Sequence, residues 1–223
     1  MTSRAGFVVA LLSLWLCSSL VRADDPTPAP FENEIAAFEK ADREHSPAKD
    51  VNLFVGSSSI RFWKTLTEDF PGVPVLNRGF GGSQIADSTR YAGRIVLPYH
   101  AKRIFYYEGD NDLAAGRQPA QLLADFKAFV EKVHGAQPGV PIYFIAVKPS
   151  PSRAKLLEKA REANRLIEAY TKEGKNLFYV DVFTPMLDKD GKPRPELFGP
   201  DMLHMNRKGY ELWTMLIAPL LKG

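Results

Sequence analysis

Five short apolar stretches, rich in β-branched and aromatic residues, recur along the chain with helix-like segments between them. Each stretch is nearly continuous in apolar residues, which is typical of strands buried on both faces of a parallel sheet. Strands that alternate with helices indicate βαβ units, because parallel strands need a crossover connection. The predicted strands are residues 51–55, 73–76, 103–107, 141–147 and 177–182.

Six segments with helical spacing lie before, between and after these strands. The alternation predicts a three-layer α/β/α sandwich around a five-stranded parallel sheet. We expect a single domain over residues 31–223. The predicted helices are residues 31–44, 59–70, 85–97, 119–134, 154–172 and 206–221.

The first 23 residues have the layout of a cleaved secretory signal peptide. Arg4 precedes an apolar run over residues 7–16, and small residues lead to Ala23. Residues 24–30 are polar and rich in proline, which predicts a flexible linker. We therefore expect a secreted or periplasmic protein.

The single cysteine, Cys17, lies inside the predicted signal. A lipid anchor on Cys17 is the alternative, but the bulky Leu16 stands where such signals favour a small residue. The apolar run of residues 7–16 is too short to span a bilayer, so no stable membrane insertion is expected. Without a cysteine, the mature chain would have no disulfide, thiolate metal site or cysteine nucleophile.

The charge of the mature chain is nearly balanced. Loss of Arg4 and Arg22 with the signal leaves 27 basic and 26 acidic residues. This balance favours neither nucleic acid nor an anionic membrane as a partner.

Polar residues follow several of the predicted strands, at the edge where open α/β sheets bind their ligands. They lie at residues 56–59, 77–82, 108–112 and 201–204. Because carboxyl ends of parallel strands share one edge, we expect these four loops to converge.

Ser58 lies at a predicted turn from strand to helix, where its hydroxyl could serve as a nucleophile if a base were near. The chain has four histidines, of which His45, His100 and His134 are placed at helix ends or at the opposite edge. His204 is the remaining candidate base on the productive side.

Asp201 lies three residues before His204, a spacing that would let its carboxylate accept a hydrogen bond from the imidazole. Each of these residues also has a purely structural explanation. Ser58, its neighbours and Asp201 could cap helices, and glycines over 79–82 could simply form a turn. The combination of nucleophile, base, carboxylate and amide donors favours catalysis.

At these residues the sequence resembles the SGNH hydrolase superfamily from about Val51 to the C-terminus. The matching blocks are Gly56-Ser57-Ser58, Asn77-x-Gly79-x-x-Gly82, Gly109-x-Asn111-Asp112 and Asp201-x-x-His204.

The resemblance implies that Ser58 is the nucleophile and that Ser58 N–H, Gly82 N–H and the Asn111 amide form an oxyanion hole. It implies a flavodoxin-like strand order of 2-1-3-4-5 and independence from metals and cofactors. Ser57 stands where the family usually has aspartate, so Ser57 and Ser59 stay open as alternative nucleophiles.

The substrate is predicted to be a small ester, with a short acyl or acetyl group on an alcohol such as a carbohydrate. An acyltransferase with a sugar acceptor and a non-catalytic carbohydrate-binding module on the same fold are the alternatives. The candidate substrate-binding residues are Arg61, Phe80, Gln84 and the loop 148–153, beginning with Lys148.

Overall fold

A computed structural model describes residues 30–222 of the chain. Its centre is a five-stranded sheet in which every neighbouring pair is parallel, in the order β2-β1-β3-β4-β5. The predicted fold class and strand order are confirmed. The strands are β1 (Asn52–Gly56), β2 (Val75–Gly79), β3 (Arg103–Tyr107), β4 (Ile142–Ile145) and β5 (Leu177–Val180).

Helices cover both faces of this sheet. The α-helices within residues 30–222 are α1 (Glu32–Glu44), α2 (Ser58–Arg61), α3 (Leu66–Asp69), α4 (Ile85–Ile95), α5 (Asp110–Ala114), α6 (Pro119–Ala136), α7 (Leu157–Glu173) and α8 (Arg207–Ile217).

A ladder of aromatic rings runs across one face of the sheet. Phe54, Phe105, Tyr143 and Phe178 occupy paired positions on β1, β3, β4 and β5. Their ring centroids lie 4.7, 4.8 and 4.6 Å apart in succession, each pair stacked. These separations match the spacing between strands, so stacking and the backbone ladder favour the same register.

The opposite face packs against α6. The Tyr106 ring of β3 stacks on Phe129 with centroids 4.0 Å apart, and Phe144 of β4 meets Phe126 edge-on at 4.8 Å. Successive residues of β3 thus point to opposite layers, both of which are apolar. This explains why the strands read as continuous apolar runs.

Gly56 ends β1 at the carboxyl edge of the sheet, opposite Gly79 of β2 and Tyr107 of β3. Its φ is +148°, and a Cβ atom there would lie 1.9 Å from the carbonyl oxygen of Tyr107. Glycine alone fits this position, because any side chain would overlap the neighbouring strand.

The predicted helix over residues 59–70 is wrong, because the chain forms two short helices, α2 and α3, with a turn between them. Trp63 in this turn is buried against Phe54, and its indole N–H donates to the Asp69 carboxylate at 2.6 Å. Burying the indole with its hydrogen bond stabilises the turn over a continuous helix.

Strand β2 extends further than predicted, since residues 77–79 belong to the strand rather than to the following loop. The Asn77 amide donates to the Ile60 carbonyl at 2.6 Å and accepts from the Gly79 N–H at 2.9 Å. These side-chain bonds satisfy a polar residue within an edge strand, which propensity alone disfavours. The short helix α5 also has no counterpart in the prediction.

Residues 1–29, which hold the predicted signal peptide and nearly all of the predicted linker, lie outside the described residues. Within residues 30–222, no helix is both long and apolar enough to cross a membrane.

Candidate active site

Three loops at the carboxyl edge of the sheet are joined by hydrogen bonds. The Phe80 N–H donates to the Gly56 carbonyl at 2.9 Å, and the Ser57 N–H donates to the Tyr107 carbonyl at 3.2 Å. The Asn111 side chain then donates to the Ser83 carbonyl at 2.9 Å. The turns after β1, β2 and β3 are therefore fixed relative to one another.

The loop that precedes α8 brings His204 to this edge. The distance from His204 Nε2 to Ser58 Oγ is 3.0 Å, and the distance from His204 Nδ1 to Asp201 Oδ2 is 2.5 Å. Hydroxyl, imidazole and carboxylate thus form one continuous chain of hydrogen bonds between residues far apart in sequence. This geometry suits transfer of a proton from a serine hydroxyl to a histidine.

Of the three neighbouring serines, Ser58 alone contacts His204 and is half-buried rather than buried. Ser57 and Ser59 are both shielded from solvent, with exposed fractions of 2 % and 1 %. The helical turn of α2 sends consecutive side chains in different directions. The structure therefore favours Ser58 over its two neighbours.

The Asp201 carboxylate is held by the loop it belongs to. Its Oδ1 accepts from the backbone N–H groups of Leu203 and His204, each at 3.0 Å. These two bonds, together with the bond from the His204 ring, hold the pKa of Asp201 well below its usual range. Asp201 is therefore an anion at neutral pH and can stabilise a protonated imidazole.

Met202 adopts a left-handed backbone conformation with φ +54° to close this loop. Its N–H donates to the Gly199 carbonyl, and its carbonyl accepts from the Ser152 N–H. The loop between Asp201 and His204 is thus tied to the chain after β4.

The predicted oxyanion donors lie in the three joined loops. Ser58 is the first residue of α2, so its N–H has no acceptor within the helix. Gly82 has φ +85°, and among residues 30–222 no acceptor takes a hydrogen bond from its N–H. Asn111 uses one amide hydrogen on Ser83 and keeps a second for a ligand.

A buried glutamate supports the loop after β2 from beneath. Glu108 Oε1 accepts from the hydroxyls of Ser83 and Ser88, both at 2.7 Å, and its side chain is fully buried. Burial raises the pKa of Glu108 well above its usual range, more than the two hydroxyls lower it. Burial therefore favours the protonated form of Glu108 beside the predicted oxyanion hole.

A family model for GDSL-like lipases and acylhydrolases matches residues 51–212, which is more than half of the chain. The chain belongs to the GDSL-like lipase/acylhydrolase family. It is accordingly a hydrolase. No curated protein matches the sequence.

Several solved structures share the fold of this hydrolase. A Streptococcus pneumonia protein named for platelet activating factor has a TM-score of 0.76 at 20 % identity, with 85 % of this chain and 92 % of that chain covered. A GDSL-like lipase from Bacteroides thetaiotaomicron has a TM-score of 0.71 at 17 % identity, covering 84 % and 96 %.

A catalytic mutant of an acetylxylan esterase from Geobacillus stearothermophilus has a TM-score of 0.62 at 12 % identity, covering 78 % of this chain and 95 % of that chain. At these identities the likeness shows the shared fold.

Two of the predicted substrate-binding residues, Phe80 and Lys148, are buried. Phe80 is fully buried, with its ring packed against Phe31 at 5.2 Å. Lys148 is 3 % exposed, and its ammonium group donates to Asp110 at 2.8 Å and to the Tyr107 hydroxyl at 3.3 Å. Both follow a strand end, but their side chains turn into the protein, which strand position alone does not reveal.

The other two predicted residues differ in role. Arg61 is exposed, lies 3.8 Å from the Glu34 carboxylate and lines a cavity of about 390 Å³ beside α1. Gln84 caps α4, because its side chain and that of Asp87 each accept a backbone N–H at the helix start. Arg61 therefore stays a candidate for substrate contact, while Gln84 has a structural use.

Sequence reasoning missed Phe62 and Glu108. The Phe62 ring lies edge-on to the His204 imidazole, with centroids 4.9 Å apart, and is 41 % exposed. An exposed aromatic in the first turn of a predicted helix carries no distinguishing signal in one sequence. Glu108 directly follows the apolar run that ends at Tyr107, and a charged residue beside a buried strand end is unusual.

The described part of the chain contains no group of three or more His, Cys, Asp or Glu side chains arranged to hold a metal ion.

We predict that Glu108→Gln removes a pH-dependent loss of stability. The pKa of Glu108 is raised in the folded state, so the folded protein keeps a proton that the unfolded chain loses. The free energy of unfolding of the wild type should fall as the pH rises above the ordinary pKa of glutamate. This group contributes a fall of up to about 1.4 kcal/mol per pH unit. Urea unfolding between pH 5 and pH 9 measures the difference.

The exposed Glu131 of α6 offers the matched control, because Glu131→Gln makes the same chemical change at the protein surface. A constant difference between wild type and Glu108→Gln across this range would contradict a raised pKa of Glu108 in the folded protein.

Proposed function

We propose that this hydrolase is an exported serine esterase that cleaves small carboxylic esters through an acyl-enzyme on Ser58. The single observation that supports it best is the hydrogen-bond chain from Ser58 through His204 to Asp201. Ser58 follows the end of β1, and His204 and Asp201 lie in a distant loop. A purely structural role explains neither the contact of His204 with Ser58 nor its contact with Asp201.

In the first half-reaction, His204 Nε2 takes the Ser58 proton while Oγ bonds to the ester carbonyl carbon. The carbonyl oxygen becomes an anion that the N–H groups of Ser58 and Gly82 and the Asn111 amide stabilise. The protonated His204, stabilised by Asp201, returns its proton to the alcohol oxygen as the carbon–oxygen bond breaks. The alcohol leaves, and the acyl group stays on Ser58.

Water resolves the acyl-enzyme by the same route. His204 takes a proton from water, the resulting hydroxide attacks the acyl carbon, and the proton passes to Ser58 Oγ as it leaves. The products are the carboxylic acid and the free enzyme.

Ser58→Ala should lower the release of p-nitrophenol from p-nitrophenyl acetate by at least about 1,000-fold, because it removes the nucleophile. The exposed Ser46→Ala makes the same chemical change outside the site and should keep wild-type turnover. A serine-reactive phosphonate should modify wild type at Ser58, as peptide mass spectrometry would show. Turnover by Ser58→Ala equal to wild type would refute the proposal.

We further propose an acetyl or short acyl group as the natural substrate, carried on an alcohol such as a carbohydrate. One protein with this fold is an acetylxylan esterase, which supports the proposal by analogy of fold. The loops around Ser58 are short in sequence. Phe80 and Lys148 are buried and therefore do not line an open channel for a long acyl chain.

For p-nitrophenyl esters from acetate to octanoate, we expect kcat/KM to be highest for acetate and to fall with chain length. Initial rates at matched concentrations provide the measurement, with detergent kept below micelle formation. A steady rise toward octanoate would instead assign a lipid-like acyl group.

Export is proposed on the signal-like pattern of residues 1–23. The processed protein should begin at Asp24, which N-terminal sequencing of protein from the exported fraction determines. A processed chain that begins at a lipid-modified Cys17 would replace this proposal with a membrane anchor.

A further inference from the structure

The Asn111 side chain is held between two groups of opposite hydrogen-bonding character. Its Nδ2 donates to the Ser83 carbonyl at 2.9 Å, and its Oδ1 accepts from Arg153 Nη2 at 3.0 Å. A backbone carbonyl can only accept, and a guanidinium can only donate. Both contacts are therefore made in one orientation of the amide and lost in the flipped orientation.

This orientation matters for the proposed chemistry. One amide hydrogen of Asn111 is used on Ser83, and the second is left for the oxyanion. A flipped amide would present its oxygen to the developing negative charge and destabilise the transition state.

We propose that Arg153 is a positioning residue for ester hydrolysis, which orients the Asn111 amide as an oxyanion donor. The inference rests on the proposed function, in which Asn111 stabilises the oxyanion. Arg153 itself need not touch the substrate.

Arg153 is held in turn by an ion pair with the buried Asp110. Its Nη1 lies 2.5 Å from Asp110 Oδ1, and Lys148 Nζ lies 2.8 Å from Asp110 Oδ2. The Arg153 side chain is 20 % exposed, and the Lys148 side chain is 1 % exposed. Lys148 and Arg153 thus share the carboxylate of Asp110, the residue directly before Asn111 in the chain.

The charge on Asp110 follows from these partners. Burial by itself would raise the pKa of Asp110, but the charges of Lys148 and Arg153 outweigh it and lower the pKa. Asp110 is therefore an anion that anchors the guanidinium. Paired buried charges add little net stability, so orientation is the better account of this arrangement.

The contacts also explain why an arginine stands at this position. One terminal nitrogen contacts Asp110 while the other donates to Asn111. The planar fork of arginine makes these two contacts at once, whereas a lysine ammonium is a single point on a flexible stem.

The test is a double-mutant cycle with Arg153→Met and Asn111→Ala, measured as kcat and KM for p-nitrophenyl acetate. Asn111→Ala should lower kcat by about 100-fold. Arg153→Met should lower kcat by about 10-fold with KM within about 3-fold, because the lost interaction acts in the transition state. In the Asn111→Ala background, Arg153→Met should lower kcat by less than about 2-fold.

Two further variants sharpen the result. Arg153→Lys keeps the charge and should stay at least about 5-fold below wild type, because one ammonium cannot hold both partners. Arg165→Met removes an exposed arginine of α7 and should leave the kcat of each background unchanged. Urea unfolding of each variant reports on loss of the fold.

Equal effects of Arg153→Met with and without Asn111 would overturn the inference, because a general loosening of the site acts in either background. A wild-type kcat for Arg153→Met would also overturn it. Failure of the proposed function gives a different result, which is unchanged turnover in Ser58→Ala.

Discussion

The parallel register at the carboxyl end of β1 is the constraint on which the site depends. Gly56 pairs with Gly79 on one side and Tyr107 on the other, and its lack of a side chain lets the three backbones meet. The turns that follow carry Ser58, Gly82 and Asn111. The aromatic ladder from Phe54 to Phe178 opposes any slip of this register, because a shift by one residue would turn each ring to the opposite face.

Two carboxyl groups near this edge have pKa values shifted in opposite directions because their surroundings differ. Asp201 lies in an exposed loop where backbone N–H groups favour its anion, and Glu108 lies in the core where burial favours its neutral acid. The anion is positioned to stabilise a cationic His204. Burial of Glu108 beneath the Ser83 turn disfavours a negative charge beside the proposed oxyanion hole.

Much of the fold was predictable because buried parallel strands leave a strong pattern in sequence. The strand order and layer arrangement agree with the prediction, whereas the helix over 59–70 and the end of β2 do not. At Trp63 and Asn77, side-chain hydrogen bonds to the Asp69 carboxylate and to the Ile60 carbonyl override local propensity. Local sequence patterns do not indicate which partner a side chain will bond to in the folded protein.

The sequence by itself determined the sheet, the glycine at the strand end, and a serine, an asparagine and a histidine in loops at one edge. These features depend on residue type and on spacing along the chain. Tertiary structure alone decided that Ser58 rather than Ser57 or Ser59 faces His204, that Phe80 and Lys148 turn inward, and that Arg153 reaches Asn111. Those outcomes depend on side-chain direction and long-range contact, which are settled only when the layers pack together.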